Sequence, residues 1–122
     1  MKQFLFMAIF LLSLISGSAQ DIGQVIRSSS GKTEVYNKQG SLIKTGYTGN
    51  DAYSYSLYYS ECLIVIRTST GRTEVFDSNL NGIATGFTGN DNYKYSIYVN
   101  GCDEIILTDQ SGNKTKYSKK LN

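Results

Sequence analysis

The chain has 122 residues, with 12 Lys and Arg against 10 Asp and Glu and no His, Pro or Trp. A formal charge of +2 gives no global field for attracting nucleic acid or acidic lipid, so neither is expected as a partner. Without histidine the usual proton shuttle near neutral pH is missing, which argues against an enzyme.

Residues 1–19 read as a signal peptide. Lys2 supplies the positive start, Phe4 to Ile15 is an apolar run broken only by Ser13, and Gly17-Ser18-Ala19 offers the small residues of a cleavage site near Ala19. The run is short for a bilayer span, and a retained anchor is the alternative. Export to a periplasm or out of the cell follows, with no stable membrane insertion once the leader is gone. Removing Lys2 with the leader lowers the charge to 11 − 10 = +1.

The remainder, 20–122, is expected to be a single all-β domain with an internal repeat. Residues 25–62 align without a gap on 65–102, and 20 of the 38 positions are identical. The predicted units are 22–61, 62–101 and a partial 102–122, two and a half copies of a four-strand module. Glycine is plentiful, and β-branched and aromatic residues dominate, which is strand composition punctuated by turns. In the second copy the strands fall at Cys62–Thr68, Thr73–Phe76, Ile83–Phe87 and Tyr93–Asn100. The first is apolar on both faces, so both should be covered. The last alternates Tyr93, Tyr95, Ile97 and Val99 with polar residues and Tyr98, the pattern of a half-buried strand. Asn100-Gly101 is a two-residue hairpin signal, matched in position by Ser60-Glu61.

One such unit cannot bury its own apolar face, so equivalent substructures must pack on each other. Cys62 and Cys102 are repeat twins in an exported chain, and a disulfide between them is expected. Their pairing implies contact near a local two-fold axis; free, half-buried thiols are the alternative. A repeat of this length and strand count resembles the blade of a β-propeller, and V-Y-N-K-Q-G-S-L-I at 35–43 is similar to the inner hairpins of such blades. The G-H and W-D pairs of the propeller repeats do not occur. The preferred architecture is an antiparallel meander folded as a sandwich or open barrel. Propeller-like blades are the alternative, with borders in the T-G-F-T-G-N-D loop.

Two sets of residues could carry recognition. Asn50, Asp51, Asn90 and Asp91 sit in the most closely repeated loop, where they could cap turns or donate oxygens to a sugar. One carboxylate per copy is too few for calcium, and no metal or cofactor is expected. The glycines of this loop and Tyr47 or Phe87 are expected to shape the turn and plug the core. Tyr58 and Tyr98 stand among serines on the polar face of the fourth strand, where exposed tyrosine suits contact with glycan or protein. The function expected is a non-catalytic binding module with two similar tyrosine-bearing surfaces. The alternative is a self-assembling envelope protein, in which the strand edge at 114–118 recruits further copies although Lys114, Lys116, Lys119 and Lys120 blunt it. Glu34, Glu74, Asp51 and Asp91 are twins of one another, unlike the dissimilar acid and base groups of an active site.

Overall fold

The computed structural model describes residues 21–49, 55–89 and 94–122. It holds ten antiparallel strands and no helix among them. In chain order these are β1 (Ile22–Arg27), β2 (Lys32–Asn37), β3 (Leu42–Tyr47), β4 (Tyr55–Tyr59), β5 (Ile64–Thr68), β6 (Arg72–Phe76), β7 (Gly82–Phe87), β8 (Ser96–Asn100), β9 (Glu104–Thr108) and β10 (Lys114–Ser118). Each strand pairs with its chain neighbour, giving sheets β1-β2-β3, β4-β5-β6-β7 and β8-β9-β10, none closed into a barrel. The predicted leader lies outside the described residues.

The sheet breaks fall after Tyr47 and Phe87, inside the repeated T-G-x-T-G stretch. The fourth strand of the first sequence unit therefore joins the sheet of the second. Turn chemistry sets the hairpins within each sheet. Gly31, Gly71 and Gly112 take φ of +90°, +91° and +88° at the β1–β2, β5–β6 and β9–β10 hairpins, a backbone region closed to most side chains. Asn37 and Asp77 each cap the next turn by accepting two backbone N–H groups on one side-chain oxygen. Asn100 pairs with Glu104, so the β8–β9 loop is the three residues Gly101–Asp103. The two-residue turn predicted at Asn100-Gly101 does not form, because only Gly101 takes positive φ and both central residues would need it.

Two apolar clusters order the sheets. Ile22, Val25 and Val35 of the first sheet pack with Ile64 and Ile66 of the second. Leu63, Val65 and Val75 of the second pack with Val99, Ile105 and Leu107 of the third. The middle sheet is thus covered on both faces, and every residue of β5 is buried. Repeat twins face the same way: Tyr55, Leu57 and Leu80 look toward the first sheet, and Tyr95, Ile97 and Leu121 toward the second. The relation between copies is serial, and the expected two-fold axis is not there. Cys62 and Cys102 still meet, with Cα atoms 5.0 Å apart, because both project from loops at the same end of adjoining sheets. Ser60 Oγ donates to Gly101 O (2.6 Å) beside the bridge.

Leu80 and Leu121 lock the series from the other side. Both have positive φ, 61° and 63°, a strained choice for leucine. Their side chains lie over glycines of the preceding sheet: a Cβ on Gly46 would sit 3.1 Å from Leu80, and one on Gly86 would sit 3.5 Å from Leu121. In the first sheet the corresponding residue is Gly40, with nothing within 4 Å of an added Cβ.

Ile66→Ala should lower the stability measured by urea denaturation by about 2–5 kcal/mol, as expected for a fully buried aliphatic side chain. Leu42→Ala, at an exposed position, should change it by no more than about 0.5 kcal/mol. Reducing the disulfide, which closes a 40-residue separation, should lower it by about 2–5 kcal/mol.

Candidate functional site

An arginine organises each sheet border, half-buried at Arg27 and buried at Arg67. Arg27 Nε donates to Thr48 Oγ1 and Thr48 O, both at 3.1 Å, and Nη2 donates to the same carbonyl at 2.6 Å. Thr33 gives its single hydroxyl proton to Gly31 O (3.0 Å). In the 2.7 Å contact between Thr33 and Thr48 the donor is therefore Thr48. A directed chain results, from guanidinium through two hydroxyls to a carbonyl. Arg67, Thr88, Thr73 and Gly71 repeat it: Arg67 Nε donates to Thr88 Oγ1 (2.9 Å), Nη2 to Thr88 O, and Thr73 to Gly71 O (3.0 Å). Arg67 is 9% exposed, and no carboxylate among the described residues forms an ion pair with it. Carbonyl, hydroxyl and ring replace the lost water instead.

The ring comes from the next sheet. Arg27 Cζ lies 4.5 Å from the centroid of Tyr55, and Arg67 Cζ lies 5.1 Å from that of Tyr95. Gly49 (φ +71°) and Gly89 (φ +67°) fill the remaining space, and a Cβ there would come within 2.8 and 2.7 Å of the tyrosine rings. Each border is so tight that only glycine fits.

Holding Tyr55 in this way completes a row across the middle sheet. Tyr55 on β4 is opposite Thr68 on β5; the N–H of Arg72 on β6 donates to Thr68 Oγ1 (3.2 Å); and Arg72 is opposite Phe87 on β7. Over this row opens a groove of about 570 Å³, lined also by Gly49, Thr70 and Glu74. That volume is in the range of small-ligand sites. Phe87 is 71% exposed at one end of the row. The first sheet carries the comparable pairs Lys32–Tyr47 and Glu34–Thr45, yet among the described residues no strand stands where β4 would. The third sheet has β8 but no strand beyond β10 among the described residues. Among the described residues only the middle sheet holds the complete row.

Tyr58 is half-buried against the cluster between the second and third sheets, while Tyr98 is 62% exposed on the far face of the third. They do not form equivalent surfaces, because a following sheet covers one and none covers the other. Asn50, Asp51, Asn90 and Asp91 lie outside the described residues. Tyr47 and Phe87 were expected in the core, but they are 74% and 71% exposed. Strand parity explains it: Gly46 receives Leu80 and Thr48 is buried, so the side chain between them must point away. Sequence reading missed Arg27 and Arg67 as well. The signal available was V-I-R recurring in step with T-G-x-T-G, two repeated motifs never connected to each other. Among the described residues no group of three or more His, Cys, Asp or Glu side chains could hold a metal ion, and no helix is long and apolar enough to cross a membrane. No protein-family model, curated protein or solved structure matches the chain.

Thr88→Val keeps the shape of the side chain and removes the hydroxyl that accepts from Arg67 Nε, leaving the carbonyl in place. It should lower stability by about 1–3 kcal/mol in chemical denaturation. Gly89→Ala, which drives a methyl into Tyr95, should lower it by at least about 1 kcal/mol more than Gly40→Ala, since Gly40 has the same left-handed backbone with open space around it.

Proposed function

We propose that the chain is a secreted, non-catalytic binding module that takes a glycan or a protein segment in the groove across its middle sheet. The observation that carries this reading is Phe87: a large aromatic side chain, mostly in water, fixed at the end of a row that also holds Tyr55, Thr68 and Arg72. Isolated exposed apolar residues are ordinary, but an aromatic side chain aligned with a cation, a hydroxyl and a second ring in a concavity is the usual composition of a binding surface. The covered faces of the middle sheet make it a rigid platform.

The finer architecture belongs to the same proposal. We read the three sheets as propeller-like blades in an open arc, built from two and a half sequence repeats. This assignment is supported by the sheet breaks at T-G-Y-T-G and T-G-F-T-G and by the matched arginine chains at both borders. The Cys62–Cys102 disulfide is compatible with an oxidising extracellular compartment, which supports export.

Self-assembly is the second reading, favoured by one observation: among the described residues β10 pairs on one side only, with β9, and Lys114 to Lys116 are exposed along it. Strand edges of this kind recruit further strands.

Phe87→Ala should remove capture of the ligand in a glycan-array or pull-down comparison with the unmodified chain, with a melting temperature unchanged within a few degrees. Tyr98→Ala should leave capture intact. Retention of binding by Phe87→Ala refutes the groove reading. Sedimentation over a wide concentration range separates the two proposals: growth of the particle with concentration supports assembly, and a constant monomer opposes it.

A further inference from the structure

We infer that the occupant of the groove is an uncharged oligosaccharide of more than one ring, held once per chain; this rests on the groove reading above. Size is the first argument. The row runs from β4 to β7, three interstrand spacings or roughly 14 Å, with an aromatic side chain at each end, Tyr55 and Phe87. A single sugar ring cannot reach both, whereas a short chain can stack one ring on Phe87 and rest another against the part of Tyr55 that lines the groove.

Polarity is the second argument. The groove lies on the face of a sheet, and β5 and β6 are hydrogen-bonded to strands on both sides. A peptide adding by main-chain pairing needs a free strand edge; the edges of this sheet lie outside β4 and β7, and none opens between them where the groove runs. The polar groups it offers are side chains: the guanidinium of Arg72, the carboxylate of Glu74 and the hydroxyl of Thr70. Donor, acceptor and hydroxyl together match a ligand whose surface alternates hydroxyl groups with flat C–H faces. Opposite charges on Arg72 and Glu74 offset each other, and Arg27 beside Gly49 and Tyr55 is already engaged by Thr48 and the tyrosine ring, so the groove suits a neutral ligand better than an anion.

Number is the third argument. The residues of the third sheet corresponding to Thr68 and Arg72 are Asp109 and Asn113, and Asp109 is engaged in capping its own turn. The first sheet keeps Lys32, Glu34 and Tyr47, but none of the described residues supplies a ring at the other end. The duplication therefore yields one complete site.

The test is an array of neutral, uronate-containing, sialylated and sulfated oligosaccharides, probed with the disulfide-bonded protein at low and high salt. Neutral oligosaccharides of two or more rings should bind, and the matching monosaccharide should bind at least about tenfold more weakly, as expected when one stacked ring worth about 1.4 kcal/mol is lost. Binding should be insensitive to salt. Phe87→Ala should weaken it by about tenfold or more. Arg72→Lys, which keeps charge but loses the planar fork, should also weaken it, and Tyr47→Ala should not. Binding restricted to acidic glycans, or abolished by salt, overturns the inference. Equal loss in Tyr47→Ala and Phe87→Ala overturns the single site. If no glycan binds but a protein ligand is captured and then lost in Phe87→Ala, the carbohydrate assignment falls while the groove reading stands. If Phe87→Ala alters no capture of any kind, both fall.

Discussion

The structure turns on a guanidinium that is taken out of water with no carboxylate among the described residues to balance it. A cation in that position must collect every available acceptor, and Arg67 does so by drawing Thr88 and the loop around it onto its own sheet while lying against Tyr95 of the next. Three requirements follow from one charge. The hydroxyl order Thr88 to Thr73 is fixed by proton count, Gly89 must remain without a side chain, and the following sheet must begin where the tyrosine ring can be reached. Arg27 imposes the same conditions one sheet earlier. The apolar clusters supply most of the burial, but they are less directional; the arginine chains fix how adjoining sheets are set against each other.

Position in the series then decides what each sheet can do. The middle sheet has neighbours on both sides and its β5 contributes only buried residues, so it can display Phe87 to solvent without endangering its own packing. The outer sheets trade apolar for polar residues on their unshared faces. Lys116 stands in the third sheet where the second has Val75, and Gln24 in the first where the second has Ile64. Such substitutions are the mark of terminal modules in a stacked array. Residues identical between the two sequence copies thereby acquire different surroundings, which is why Tyr58 is half-buried and Tyr98 exposed.

Much of the local structure was legible in the sequence because it depends on neighbours along the chain. Alternation identified β8, the two-sided apolar run at 63–66 identified a strand covered on both faces, and the matched cysteines identified a bridge. The parity of Tyr47 and Phe87 was not legible, because it depends on Leu80 and Leu121 reaching back across a sheet border to Gly46 and Gly86. Nor was the candidate groove. Tyr55, Thr68, Arg72 and Phe87 are spread over thirty-two positions and fall into one row only through pairing register and through a sheet boundary that cuts across the sequence repeat. A repeat read along the chain suggests two equal sites, whereas three sheets of three, four and three strands complete the row once.

Leu80 and Leu121 carry a consequence for the history and design of such chains. A leucine at this bend is worth its backbone strain only where a preceding sheet offers a glycine to rest upon; at Gly40, where none of the described residues comes within 4 Å of an added Cβ, glycine serves. The residue at the bend therefore works as a grammatical marker, distinguishing a module that opens a sentence from one that continues it. Anyone lengthening the array by inserting a module ahead of the first would need to rewrite Gly40 as leucine and supply a matching glycine upstream, and a lineage that grew by duplication would have met the same requirement.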